Sequence, residues 1–116
     1  MFVNWNKCQG NVWCKLNSVN IDHPHFNSMS GVYIIWHGGD NPRTVYVGHG
    51  FIRGALFNAI RNVTIQNYEV NTLYVTWAEV SPNQQFGVER YLINVLNPLI
   101  NPSYYDPNQI QVNLPW

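Results

Sequence analysis

Four side chains in this chain have the types and spacing to do chemistry together: Tyr33, Tyr46, His49 and Glu89. Glu89 offers a hard carboxylate oxygen of the kind Mg²⁺ or Mn²⁺ prefers. One carboxylate, completed by waters and a substrate phosphate, is enough for such an ion. Tyr33 and Tyr46 lie on two neighbouring apolar stretches, from which their hydroxyls can reach a common cleft. A phenol placed there orients or deprotonates an attacking water. His49 follows closely after Tyr46, where an imidazole can touch a phosphate or carry a proton. Each has a plainer reading when taken alone: two sheet aromatics, a solvated helix carboxylate beside Arg90, and an exposed loop histidine. Their joint spacing is what gives them weight.

A second cluster, Cys8, Cys14, His23 and His25, has ligand types that suit zinc. The spacing C-x5-C-x8-H-x-H lacks the tight C-x-x-C knuckle of structural zinc sites. Zinc is therefore not expected; the thiols read as buried and the histidines as surface residues.

These residues need elements to hold them. Residues 31–36 (GVYIIW) are β-branched and aromatic and predict a buried strand. Residues 37–43 carry Gly-Gly and Asn-Pro and predict a turn. Residues 44–47 (TVYV) predict the returning strand of a hairpin, broken by Gly48, His49 and Gly50. A helix follows over 51–62, with Ile52, Ala55, Leu56, Ala59 and Ile60 on one face. A third strand spans 73–80, Ser81-Pro82 makes a turn, and a second helix covers 86–96, ending before Pro98. Residues 12–21 have room for one more strand, and the tail, 97–116, reads as extended and packed by its aromatics. The fold class is α/β (α+β): a small, mainly antiparallel sheet flanked by helices. Residues 1–30 form an N-terminal extension packed on a domain of residues 31–116.

With 116 residues, 46% of them hydrophobic and 10% charged, this is one globular domain. Polarity comes from amides, with 17 Asn against two Lys, and the net charge is zero. A nucleic-acid binder usually shows a basic face, so bulk composition argues mildly against tight non-specific binding. No apolar run approaches the length needed to span a membrane, and the start lacks an apolar signal core. A cytoplasmic setting is the expectation.

Gly31-Val32-Tyr33 and, after twelve intervening residues, Tyr46-Val47-Gly48 resemble the paired signature of the GIY-YIG nuclease superfamily, with Val in the middle of each triplet. Glu89, Leu92, Ile93, Pro98 and Asn101 are similar to the E-x-x-L-I-x-x-x-x-P-x-x-N run of the excision-repair endonuclease subunit in that superfamily. The two halves span residues 31–101. Trp13-Cys14-Lys15-Leu16 and the ending Val112 to Trp116 resemble small stand-alone bacterial GIY-YIG-like proteins. The resemblance implies metal-dependent endonuclease activity. Tyr33 would help to activate water, Tyr46 would orient the phosphate, and Glu89 would hold Mg²⁺. Gly31, Gly48 and Asn101 would support the site. It also implies nucleic acid, DNA before RNA, or else a protein as partner.

The helix departs from the family pattern. Setting Ile52, Arg53 and Leu56 in register puts Ala55 where the superfamily has its catalytic Arg, and Ala59 where it has His or Tyr one turn on. A competing register makes Arg53 the catalytic cation and puts Phe57 at the His/Tyr position. The chain has three alanines, and two of them fall on these positions in the preferred register. Phosphoryl transfer needs a cation on the developing charge, so the chain as written is expected to be inactive or very slow. It is then either a nuclease whose catalytic pair was replaced, or a natural degenerate relative that binds without cutting, such as an immunity factor, regulator or nucleic-acid binder. Arg53, Arg61 and Arg90 are the basic residues expected near the cleft.

Overall fold

The computed structural model describes residues 1–101 and 106–116. The expectation of an extended tail also covers residues 102–105, which lie outside the described residues. The elements run β1 (Cys14–Lys15), β2 (Ser30–His37), β3 (Arg43–Phe51), α1 (Ile52–Arg61), α2 (Val63–Gln66), β4 (Leu73–Glu79) and α3 (Pro82–Leu96). Short 3₁₀ turns lie at Leu16–Ser18, Pro24–Phe26 and Glu69–Asn71. The fold is α+β. One four-stranded antiparallel sheet in the order β1-β4-β2-β3 has helices packed on it.

β2 is central, and its run of apolar residues follows from burial on both sides. Alternate residues point to opposite faces of a strand. Tyr33 and Ile35, opposite Trp77 and Val75 of β4, share a core with Ile52, Leu56 and Ala59 of α1 and with Leu16 and Phe26. Val32 and Ile34 point the other way, into a core with Val47, Val88, Leu92 and Ile93 under α3, closed by Val3 and Val112. Residues 1–30 thus do more than cover the sheet. They add β1 to its edge and send Val3, Cys14, Leu16 and Phe26 into the two cores.

Two glycines in this sheet are dictated by close approach. A Cβ on Gly31 would overlap the carbonyl of Ala78 on β4, and one on Gly48 would overlap the hydroxyl end of Tyr33. Gly48 pairs across the hairpin with Tyr33, so the phenol lies flat over the bare backbone opposite it.

Three expectations need correction. β3 is not broken at Gly48–Gly50: it continues to Phe51, with Gly48, His49 and Gly50 paired to Tyr33, Val32 and Gly31. Glycine weakens a strand but keeps both its backbone hydrogen-bonding groups, so the ladder carries through. α3 begins at Pro82, a turn earlier than residue 86, because proline suits the first turn of a helix, where its missing N–H costs nothing. Cys8 and Cys14 are not free thiols but a disulfide, with Cα atoms 5.1 Å apart. Gly10 and Asn11, both at positive φ, turn the chain back between them, and Cys8 bridges to Val12.

The segment after α3 returns along β3. Leu99 and Ile100 donate backbone hydrogen bonds to the carbonyls of Thr44 and Val45. The Asn101 side chain then holds both backbone groups of Val47, accepting from its N–H at 2.8 Å and donating to its C=O at 3.1 Å. The first and last stretches are zipped in the same way. Asn113 accepts from the Val3 N–H at 2.7 Å and donates to the Val3 carbonyl at 3.0 Å, while the Trp5 indole donates to the Asn113 carbonyl. No helix among the described residues is long and apolar enough to cross a membrane.

Candidate functional site

A cleft of about 560 Å³ opens between β3 and α1. Tyr33 and Tyr46 form its floor, with ring centroids 6.0 Å apart, and His49, Ala55 and Ala59 line it with them. The hairpin register explains the pairing of the tyrosines. Tyr33 lies opposite Gly48 and Tyr46 opposite Ile35, so the two rings are diagonal neighbours on one face. On α1, Ala55 and Ala59 are four residues apart and therefore one turn apart on the same face. Helix geometry turns both toward the tyrosines.

Glu89 is buried on α3 at 6% exposure and does not itself line the cleft. His49 connects it. Its Nδ1 lies 3.1 Å from Glu89 Oε1, while an Arg90 nitrogen donates to Oε2 at 2.7 Å. The imidazole ring meets Phe86 edge to face. A half-exposed histidine is thus held by a buried carboxylate on the α3 side of the sheet, and it is among the residues that line the cleft.

The Tyr33 hydroxyl is pushed well above the ordinary range of a tyrosine. Burial is the main cause, and the Tyr46 phenol and the negative charge of Glu89 add to it. Tyr33 therefore keeps its proton at neutral pH. It can orient a water or a phosphate oxygen by hydrogen bonding, but it is poorly suited to removing a proton.

Arg53 is not brought to the cleft. Its Nε donates to the Ile21 carbonyl at 2.7 Å, and one terminal nitrogen donates to the His23 carbonyl and to Asn27 Oδ1. It fastens α1 to the N-terminal segment and lines a separate hollow with Phe57. The register that would make Arg53 and Phe57 the working pair places both outside the cleft, whereas the preferred register places Ala55 and Ala59 in it. Arg61 lies over the Phe57 ring at 4.0 Å, and Arg90 pairs with Glu89. No Lys or Arg lines the cleft among the described residues.

Glu89 suits a magnesium ion only as a single anchor. Both its oxygens already take a hydrogen bond, and each retains a further lone pair. No group of three His, Cys, Asp or Glu able to hold a metal gathers among the described residues. Such an ion would thus keep most of its waters, as Mg²⁺ commonly does. The disulfide removes both sulfur ligands from the zinc cluster weighed earlier, and His25 accepts the Trp77 indole N–H at 3.0 Å.

Asn58, Asn62 and Thr64 also line the cleft, and sequence reasoning passed over them. Asn58 was findable, lying three residues beyond Ala55 on the same helix face. Asn62 was not, because its position depends on capping α2, where its side chain accepts from the Ile65 N–H. Comparison with protein-family models, with curated proteins and with solved structures finds no match to this chain.

Proposed function

We propose that the cleft is a phosphodiester-cleaving centre of the GIY-YIG kind that has lost its cation, so that the chain as it stands is inactive or very slow. The observation that carries this reading is the convergence of Tyr33, Tyr46, His49, Ala55 and Ala59 on one cleft, with Glu89 bonded to the histidine. A phosphate seated on the two phenols would receive hydrogen bonds from them, and protonated Tyr33 would orient the attacking water. His49, steadied by Glu89, would contact the phosphate edge. Mg²⁺ anchored at Glu89 would supply positive charge to the phosphate oxygens when bound. The remaining requirement is a fixed cation over the developing charge, and the alanine at position 55 cannot provide it. Losing such a group typically costs about 10²–10³ in rate or more.

The test is the double substitution Ala55→Arg with Ala59→His, assayed on DNA and RNA with Mg²⁺ and Mn²⁺. Cleavage should rise at least about a hundred-fold over the unmodified chain, and Glu89→Gln in that background should abolish it. A double variant that folds but cuts neither polymer would sink the reading.

The absence of Lys and Arg from the cleft favours a second reading, a non-catalytic module that binds a nucleic acid or a protein. Binding to DNA that weakens steeply with salt would point to nucleic acid.

The cytoplasmic setting expected from the sequence fits poorly with the Cys8–Cys14 disulfide, since cytosolic thiols are kept reduced. An oxidising compartment suits it better. Alkylation of the denatured protein, taken directly from its cells, should label neither cysteine; labelling of both would restore the cytoplasmic reading.

A further inference from the structure

The chain's five tryptophans divide into two groups by what their indole N–H groups do. Trp5 donates to the Asn113 carbonyl and Trp77 to His25. Trp13, Trp36 and Trp116 donate to no protein group among the described residues. The N–H groups of these three are not buried: Trp116 is exposed and Trp13 and Trp36 are half-buried, so all three donors stand open to solvent at one place. They line a hollow of about 440 Å³ on the α3 side of β3, within the size range of small-molecule sites.

The rings meet at steep angles. Trp13 and Trp36 are 5.5 Å apart at 88°, and Trp36 and Trp116 are 4.9 Å apart at 65°. Trp36 is braced from behind by stacking on Tyr74, its partner across the strands. Arg43 and Thr44 supply the polar side of the hollow. Arg43 makes one long hydrogen bond, 3.4 Å, to the Asn97 carbonyl, and the Thr44 hydroxyl bonds to no described residue. Lys7 lies over the Trp13 ring, its ammonium 4.5 Å from the centroid, but lines a different hollow with Cys8 and His25. Among the described residues no carboxylate lines the hollow, and both ion pairs belong to Glu89.

Indole faces, solvent-open N–H donors and the Arg43 guanidinium, which has no carboxylate partner among the described residues, together select a ligand with a flat ring, many acceptors and a negative charge. The geometry points to a nucleotide-binding subsite, in which an unpaired base lies against an indole face, its ring acceptors take the free indole N–H groups, and its phosphate meets Arg43. Base stacking on aromatic side chains tolerates any base, so the subsite is expected to be indifferent to sequence. Thr44 is two residues from Tyr46 on β3, so the hollow and the cleft flank the same strand. The subsite does not rest on cleavage, because occupancy is measured without any cutting.

The probe is adenosine 5′-monophosphate titrated into the full chain at low salt, with tryptophan fluorescence as the readout. AMP should give saturable quenching. Trp116→Leu should weaken binding roughly ten-fold, in line with the loss of one stacking partner. Arg43→Gln should weaken AMP but leave adenosine unchanged, and it should flatten the dependence of AMP binding on salt. Both residues are exposed, so the variants should keep the unfolding midpoint of the parent. The proposal fails if AMP gives no saturable signal, if both variants bind AMP as the parent does, or if glucuronate binds as tightly as AMP.

Discussion

Tyr33 couples the candidate site to the stability of the fold. Its hydroxyl keeps its proton in the folded protein beyond the pH at which a free tyrosine gives it up, chiefly because it is buried. Above about pH 10, the ordinary tyrosine value, the unfolded chain loses this proton while the folded chain retains it. The folded state then binds more protons than the unfolded state, so stability falls as pH rises. Tyr33→Phe should remove that contribution: the alkaline limb of a stability–pH curve should be flatter than the parent's above pH 10 and unchanged near neutrality. An identical limb in the variant would show that this phenol does not control alkaline unfolding. At this scale, much of the site was readable in advance. Tyr33 with Tyr46, and Ala55 with Ala59, are set by strand pairing and helical repeat, which are local rules. The partnership of His49 with Glu89 and the oxidation of Cys8 with Cys14 were not readable, because each depends on how distant elements meet or on redox conditions.

Among the elements, α1 shows how one helix serves two purposes on two faces. Its Ala55 and Ala59 face lines the cleft, while Arg53 reaches round to the carbonyls of Ile21 and His23 and to Asn27. Arg53→Met keeps most of the stem but removes the donors. It should cost roughly 1.5–3 kcal/mol, the usual range for a hydrogen bond made by a charged group, in urea unfolding. It should leave the cleft unchanged, so cleavage by the Ala55→Arg, Ala59→His variant should survive it. Loss of that cleavage without loss of stability would return Arg53 to the list of working residues. β2, β4 and α1 were legible from burial patterns, because an element buried on one or two faces writes its period into the sequence. The end of β3 and the start of α3 were not, because Gly and Pro mark turns in most settings and are also tolerated in a strand end and a first helical turn. Only the surrounding contacts choose between these.

Taken whole, the molecule is a sheet with a different candidate surface on each side of one strand. Tyr46 and His49 of β3 line the cleft, Arg43 and Thr44 line the tryptophan hollow, and Leu99 to Asn101 bind along the same strand. Composition anticipated a well-filled core and an unusual share of tryptophan. It could not show that Trp13, Trp36 and Trp116, far apart in the chain, would gather at one hollow while Trp5 and Trp77 are spent on hydrogen bonds. That division depends on long-range packing and leaves no periodic trace.

The clasp between Asn113 and Val3 brings the two ends of the chain to one corner of the molecule. An affinity tag or fluorescent fusion attached at either end would crowd that same corner. One added beyond Trp116 would also hang beside the aromatic hollow. Cargo is therefore better carried on the turn before β4, where Glu69 and Val70 are exposed and line neither candidate surface.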